Sequence, residues 1–159
     1  MIKEIQIQSY EYSDEIYSRQ FSLNKQDVEF EMRKEIAQMS FSNYLDEISK
    51  FHSINVMDSE VKKFINKLKE NSIILDLGCG WCWHWRDINK YRPDIKIIAF
   101  DFVKENFYHA KKILSNETKK QIYFVNDDMH NLNFKDNTFD AIWSVQVFQH
   151  IEKINQVLK

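Results

Sequence analysis

Residues 72–80 form the stretch Ser-Ile-Ile-Leu-Asp-Leu-Gly-Cys-Gly, which indicates the fold more clearly than any other segment. Its apolar run is short and ends at glycine, which is the pattern of a strand buried on both faces of a parallel sheet. The chain has only 2 glycines in 159 residues, and both lie here, at Gly78 and Gly80. Glycine is needed where the backbone takes a positive φ or where another group approaches closely. We therefore predict a buried strand that ends in a tight turn facing a ligand.

Further apolar runs lie at residues 95–100, 122–125 and 139–147, and residues 103–114 are long enough for a helix between the first two. Strands that alternate with helices favour βαβ units and a parallel sheet. The predicted fold class is therefore α/β, with a doubly wound, Rossmann-like and mostly parallel sheet. A further helix, with lysines on its solvated face, is predicted before the first strand, at residues 59–70.

The first 71 residues are predicted to be a helical N-terminal extension, and residues 72–159 to carry the sheet. Residues 1–24 mix apolar and polar positions without a firm period, so we expect them to be loosely structured. From Asp27, which could cap a helix, apolar residues recur mostly every three to five positions and indicate one long or broken amphipathic helix. Its apolar positions are Val28, Met32, Ile36, Met39, Tyr44, Leu45 and Ile48.

The composition excludes several classes of protein. A hydrophobic content of 43% is typical of a globular core and argues against a disordered chain. The net charge of −2 gives no general attraction to nucleic acid or to anionic membranes. Because the chain has no apolar run of about 18 residues and no apolar leader, we expect a cytoplasmic location with reduced thiols. Cys79 and Cys82 have the spacing of a redox pair or half a zinc site, but no second pair exists, so no metal site is expected.

Ligands of parallel α/β sheets bind at the carboxyl ends of strands, where the strand order reverses. Residues 76–82 are predicted to lie at such a point, and a helix starting near residues 81–85 would add free N–H groups. The dinucleotide fingerprint G-x-G-x-x-G fails here, since Trp83 stands where its third glycine would be. A nicotinamide dinucleotide site is therefore the less favoured alternative.

Four segments in order resemble the class I S-adenosylmethionine-dependent methyltransferases, in the small-molecule, type 11-like branch. Residues 74–80 are similar to motif I, and residues 97–102, Ile-Ile-Ala-Phe-Asp-Phe, to the end of the second strand. Residues 126–134 resemble the segment that meets adenine. Residues 136–144, Asp-Asn-Thr-Phe-Asp-Ala-Ile-Trp-Ser, look like the lead into strand four, and residues 147–151, Val-Phe-Gln-His-Ile, like the segment after that strand. Each match alone is weak, but the ordered set is specific.

The resemblance implies bound S-adenosylmethionine. Asp76 suits the ammonium group of the methionine end, and Asp101 suits the two ribose hydroxyls. The alignment makes Asp128 the contact of the adenine amino group, with Asp127 as the near rival. The implied cofactor-binding residues are Asp76, Gly78, Cys79, Gly80, Trp81, Asp101, Phe102, Asp128 and Met129. Packing is the competing interpretation for Trp81, and an ordinary polar strand end for Asp128.

His150, after strand four, is the expected catalytic residue. Methyl transfer from a sulfonium depends mainly on alignment and desolvation, so a base is needed only where the acceptor must lose a proton. Histidine can take that proton near neutral pH, although a histidine bonded to backbone at the start of a helix is an equal alternative. The expected acceptor contacts are Gln146, Gln149 and, as part of an N-terminal lid, Tyr17; for the tyrosine, surface packing is the alternative.

The sequence also departs from the family pattern. Cys82 stands where many members have a third glycine, and three tryptophans crowd the turn. No N-P-P-Y type segment follows strand four, so methylation of a nucleic-acid base is not supported. The remaining histidines have no metal spacing and no evident partner, and we assign them structural roles: His52, His84, His109 and His130.

The predicted function is methyl transfer to O or N of a small molecule or a sugar-linked acceptor, without a nucleic-acid or membrane partner. The alternative is a cofactor-binding but catalytically idle assembly module. The resemblance further implies that the chain stops after strand four, before the fold is complete. An edge strand left in this way is expected to pair with a second copy or to belong to a longer protein.

Overall fold

The computed structural model describes residues 9–21, 53–151 and 154–157, together with isolated positions between 31 and 50. The long helix predicted from Asp27 to Ile48 therefore lies largely outside the described residues. The described strands are β1 (Glu11–Ser13), β2 (Ile16–Ser18), β3 (Ile73–Leu77), β4 (Lys96–Asp101), β5 (Ile122–Asn126) and β6 (Ala141–Trp143). The α-helices are α1 (Ser53–Ile65), α2 (Ile88–Tyr91), α3 (Glu105–Ile113), α4 (Asn116–Lys119) and α5 (Ile154–Val157), and short 3-10 helices lie at Trp83–Trp85, Met129–Asn131 and Phe148–His150.

The six strands form a single sheet in the order β1-β2-β5-β4-β3-β6. β1 and β2 are antiparallel, and every other neighbouring pair is parallel. The predicted α/β class with a mostly parallel sheet is therefore confirmed. Since β4 and β6 flank β3 on opposite sides, the strand order reverses at β3, and ligands of open α/β sheets bind at the carboxyl ends beside such a reversal.

Side chains of the central strands alternate between two buried clusters, one on each face of the sheet. One cluster packs strand residues against α1, α2 and α3; its strand members include Ile74, Ile97 and Phe124. The other packs strand residues against the loops after β5 and β6 and against α5; its strand members include Leu75, Ile98 and Val125. Because both faces are covered, these strands read as continuous apolar runs in the sequence.

The N-terminal strands form a hairpin that extends the sheet beyond β5. β2 pairs with β5 in parallel, with Ile16 beside Phe124, and Ile16 is fully buried. The hairpin turn, Asp14 and Glu15, has positive φ at both residues (52° and 62°), as a type I′ turn requires. The prediction that residues 1–24 are loosely structured is therefore wrong for the described residues 9–21.

Arg92 caps the C-terminal end of α1. Its guanidinium donates to the carbonyl oxygen of the last helical residue, Ile65, and to those of Leu68 and Lys69 just beyond it, and also pairs with Asp94. These bonds satisfy carbonyls left without helical partners. The helix spans Ser53–Ile65, so it starts and ends earlier than the helix predicted at residues 59–70.

No described helix is long and apolar enough to cross a lipid bilayer.

β6 is shorter than the apolar run that predicted it, residues 139–147. It ends at Trp143, after which the Ser144 hydroxyl donates to the carbonyl oxygen of Leu77. Gln146 then takes a positive φ of 56°, which turns the chain away from the strand direction. The end of this run therefore forms a loop beside the carboxyl end of β3.

The docking of the hairpin can be tested with Ile16→Ala. Removing a fully buried isoleucine side chain from a packed core should lower the free energy of unfolding by about 2–4 kcal/mol, measured by urea denaturation. The control is Val56→Ala, since Val56 is 63% exposed on α1 and its truncation should change stability by less than about 0.5 kcal/mol. Equal, small effects of the two substitutions would contradict the docked hairpin.

Candidate functional site

Three carboxylates lie at the carboxyl ends of three adjacent parallel strands. Asp76 is in β3, Asp101 ends β4, and Asp127 directly follows β5. Their exposed fractions are only 1%, 4% and 0%, respectively. A buried carboxylate is costly unless donors satisfy it, so the partners of each one determine what the site can bind.

Asp76 is held by the 3-10 helix that follows the glycine turn. The Trp85 indole donates to Asp76 Oδ2 at 2.7 Å, and His84 Nε2 lies 3.1 Å from the same oxygen. Both contacts go to Oδ2, and no described residue hydrogen-bonds Oδ1. His84, to which the sequence assigned no partner, thus contacts a predicted site residue. The arrangement fixes the carboxylate through Oδ2, while Oδ1 has no hydrogen-bond donor among the described residues.

Asp101 closes the glycine turn onto the end of β4. Its Oδ2 accepts the Gly80 N–H at 2.8 Å, and its Oδ1 accepts the Val103 N–H at 2.9 Å. Burial raises the pKa of Asp101 to about 6, because the loss of solvation outweighs these hydrogen bonds and a third from the Asn106 side chain, and the nearby Asp76 charge acts in the same direction as burial. The acid therefore gains or loses its proton close to neutral pH.

The two glycines have different surroundings. A Cβ on Gly78, where φ is +71°, would lie 2.9 Å from Val147 Cγ1 and closer still to Cγ2, so this glycine accommodates the loop after β6. A Cβ on Gly80, where φ is +52°, would meet nothing within 4 Å. The open approach to the turn is therefore at Gly80.

The backbone N–H groups of the glycine turn itself, at residues 78–80, are hydrogen-bonded within the protein. The N–H groups of Gly78 and Cys79 both donate to the carbonyl oxygen of Phe100, and that of Gly80 donates to Asp101, so these three amides are already engaged. Cys82 has a left-handed backbone, with φ 55° and ψ 26°, which explains why this position favours glycine. Cys82 keeps that conformation with its side chain fully buried.

Asp127 and Asp128 have different partners. Asp127 accepts a hydrogen bond from the Tyr10 hydroxyl and forms an ion pair with Arg19 at 2.7 Å, so the N-terminal hairpin occupies it. Asp128 caps the 3-10 helix Met129–Asn131: its Oδ1 accepts the His130 N–H at 2.9 Å and lies 2.7 Å from His130 Nδ1, so His130 has a partner that the sequence did not indicate. The Asp128 side chain remains 34% exposed. Of the two rivals for the adenine contact, Asp128 is the accessible one, and its role stays a prediction.

Trp81 is buried in packing contacts. Its ring stacks on His109 with 3.8 Å between the ring centroids, and its indole N–H donates to Asn106 Oδ1 at 3.0 Å. Only 3% of the residue is exposed. These contacts favour the packing interpretation over a ring that covers a ligand, and they give His109 a partner that sequence reasoning missed.

The other predicted residues of the turn region differ in burial. Met129 is buried and Phe102 is half-buried. Cys79 and Cys82 are free, buried thiols, and burial raises the pKa of Cys79 well above its usual range. The described residues contain no group of three or more side chains that could hold a metal ion.

The predicted acceptor residues lie in two places. Gln146, Gln149 and His150 are exposed on the loop after β6, and Val147 of the same loop abuts Gly78, so the loop borders the glycine turn. Tyr17 lies on β2, three strands away from β3, and its ring packs on Tyr12 with 4.5 Å between centroids. The structure therefore does not bring Tyr17 to the turn, and its contacts favour surface packing.

The sequence of this chain is similar to those of known proteins. A family model described as a methyltransferase domain matches residues 74–159. The malonyl-[acyl-carrier protein] O-methyltransferase of Buchnera aphidicola is 31% identical over 107 residues, which cover 65% of this chain and 37% of the relative. The sterol 24-C-methyltransferase of Kluyveromyces lactis is 30% identical over 88 residues, which cover 52% and 22%. The chain thus spans well under half the length of these curated relatives.

The fold has a close counterpart among solved structures. The crystal structure of a candidate S-adenosyl-L-methionine-dependent methyltransferase from Methanococcus maripaludis matches with a TM-score of 0.64 and 24% sequence identity. The match covers 88% of this chain and 60% of that chain. At this identity the likeness supports the fold.

The buried acid Asp101 predicts a pH dependence of stability. Because its folded pKa of about 6 lies above the ordinary value of 3.8, the stabilisation is fully present below pH 3.8 and is lost as the pH rises through 6. Between pH 5 and 7.5, the free energy of unfolding of the wild type minus that of Asp101→Asn should therefore fall by about 1 kcal/mol, measured by urea denaturation. A difference that is constant or rises with pH would contradict the raised pKa.

The two glycines of the turn should respond differently to alanine. Gly80→Ala introduces only the strain of a positive φ, about 1–2 kcal/mol, whereas Gly78→Ala adds a steric clash with Val147 worth about 1–3 kcal/mol more. Gly78→Ala should therefore unfold at the lower urea concentration. The double variant Gly78→Ala with Val147→Ala should recover part of the loss, and its failure to do so would argue against the contact.

Proposed function

Since the chain belongs to the methyltransferase-domain family whose model matches residues 74–159, we propose that it binds S-adenosylmethionine and transfers the methyl group to an acceptor. The observation that carries the proposal is the row of acids at the strand ends around a glycine turn that is open at Gly80. Such a row matches a ligand that presents an ammonium group, two ribose hydroxyls and an adenine amino group in sequence.

Each part of the cofactor has a partner in this proposal. The ammonium group is held by Asp76 Oδ1, the oxygen that Trp85 and His84 leave unoccupied. The ribose hydroxyls donate to Asp101, because each carboxylate oxygen can accept a second hydrogen bond besides its backbone donor. Asp128 accepts from the adenine amino group, and Met129 supplies an apolar contact to the ring. The cofactor itself supplies the electrophilic methyl group on its sulfonium.

The proposed acceptor is an oxygen or nitrogen atom of a small molecule or a sugar-linked compound. It lies against the exposed loop of Gln146, Gln149 and His150, where the His150 imidazole takes the proton of an acceptor that must lose one. The two relatives are named for transfer to oxygen and to carbon, so the acceptor atom differs among proteins that share this domain. The near-balanced charge supports a small molecule over nucleic acid, and the free thiols support a reducing, cytoplasmic location.

We further propose that the β6 edge of the sheet is covered in the functional protein, by a second copy or by additional chain. Among the described strands, β6 pairs only with β3, and Ile142 on it is 57% exposed. An exposed apolar edge is a site for strand pairing. Light scattering that finds a monomer would count against pairing of two copies.

Titration calorimetry with S-adenosylhomocysteine tests the cofactor proposal. Asp76→Asn and Asp128→Asn should each weaken binding at least about tenfold, because each removes a charged hydrogen-bond acceptor; the asparagine at position 76 can still accept the Trp85 N–H. Asp136→Asn is the matched control, since Asp136 is an exposed acid away from the strand ends, and should bind as the wild type does.

Two results would contradict the proposal. One is the absence of binding heat from wild-type protein that circular dichroism shows to be folded. The other is a larger thermal stabilisation by NAD than by S-adenosylhomocysteine, which would favour a dinucleotide site.

A further inference from the structure

The N-terminal hairpin and the residues next to it contact the turn after β5. This turn contains Asp128, the proposed partner of the adenine amino group. Arg19 makes three contacts there. Its backbone N–H donates to the Asn126 carbonyl oxygen at 3.3 Å, and its Nη2 donates to the Asn131 carbonyl oxygen at 2.6 Å and to Asp127 Oδ2 at 2.7 Å. One residue of the hairpin thus holds both ends of the segment that contains Asp128 and Met129.

Asp127 connects Arg19 and Tyr10 to the backbone of Asp128. Its Oδ2 is held by Arg19 and by the Tyr10 hydroxyl, and its Oδ1 accepts the backbone N–H of Asp128 at 2.8 Å. Asp127 is fully buried, so these donors take the place of water around its carboxylate. A change at Arg19 therefore alters the groups that orient the Asp128 backbone.

Tyr10 reinforces the same contact. It is 9% exposed, and the Arg19 guanidinium carbon lies 5.6 Å from the centroid of its ring. Its aromatic ring packs in the cluster that includes Val125 and Met129. The hairpin therefore supplies the turn with an ion pair, a hydrogen bond from a hydroxyl to the same carboxylate, and apolar packing.

We propose that Arg19 and Tyr10 are positioning residues for adenine recognition, acting through Asp127 on Asp128. The inference rests on the proposed function, because it assumes a ligand that contains adenine. It assigns to the N-terminal segment a role in cofactor selectivity, whereas sequence reasoning placed a lid for the acceptor there.

Calorimetry with two ligands tests the inference: S-adenosylhomocysteine and S-inosylhomocysteine, in which a carbonyl oxygen replaces the adenine amino group. The wild type should prefer the adenine compound at least about tenfold, because a carboxylate cannot accept from a carbonyl. Asp128→Asn should abolish most of that preference. Arg19→Ala should reduce it to less than about threefold, and Tyr10→Phe, which removes only the hydroxyl, to an intermediate value.

Lys111→Ala is the matched control. Lys111 donates to the Asp14 carbonyl oxygen and pairs with Glu15 at 3.4 Å, so it holds the hairpin at its turn, in contacts separate from those of Asp127. This variant should keep the wild-type ratio between the two ligands. Arg19→Lys, which keeps the charge but loses the planar guanidinium with its fixed donor geometry, should restore part of the ratio that Arg19→Ala loses.

The outcomes separate the inference from the proposed function. Wild-type protein that binds neither ligand would overturn the proposed function. Wild-type protein that binds both equally would overturn the inference together with the adenine contact of Asp128, but would leave the binding of S-adenosylmethionine standing. The inference would also be overturned if Arg19→Ala and Tyr10→Phe, both folded by circular dichroism, kept the full wild-type preference, or if Lys111→Ala lost as much of it as Arg19→Ala.

Discussion

A carboxylate removed from water must be hydrogen-bonded, and this constraint organises the carboxyl edge of the sheet. Asp76 accepts from the indole of Trp85, Asp101 from two backbone amides and the Asn106 side chain, and Asp127 from the N-terminal hairpin. These donors come from the glycine turn and the 3-10 helix after it, from the segment after β4, and from residues before and after the hairpin strands. The acids therefore draw together segments that are distant in sequence, and the loops around the proposed cofactor site take their positions from these bonds as well as from apolar packing.

The same acids determine the electrostatic character of the edge. Asp76 is close enough for its charge to help raise the pKa of Asp101, and this interaction is screened little because both acids are buried. A cation between them would relieve that repulsion. For the proposed cofactor, whose sulfonium loses its positive charge on methyl transfer, such an edge favours the methyl donor over the product. The acids would thus contribute to product release as well as to binding.

The sequence predicts those strands whose burial leaves a recognisable local pattern. It does not predict contacts that form only when the chain has folded. The central strands were predictable because burial on both faces leaves continuous apolar runs. The hairpin was not, because Asp14 and Glu15 form its turn without the glycine that usually marks one. The alignment of motifs placed acids at the strand ends, but not their partners: those of Asp76 lie 8 and 9 residues away in the folded turn, and Tyr10 lies 117 residues from Asp127. Cys82 was partly predictable. The sequence showed that it stands where many members of the family have glycine, and the structure shows that the backbone there is left-handed, the conformation that favours glycine.

The hairpin also has a consequence for the order in which the molecule assembles. β2 precedes β5 in the chain, yet it pairs with β5, and Arg19 is 112 residues from the Asn131 carbonyl that it contacts. During synthesis, the hairpin therefore leaves the ribosome long before its partner strand exists. Contacts of such long sequence separation form slowly, since the entropy of closing the loop opposes them. The β5 side of the edge is thus completed late in folding, when the hairpin joins a strand that is synthesised well after it.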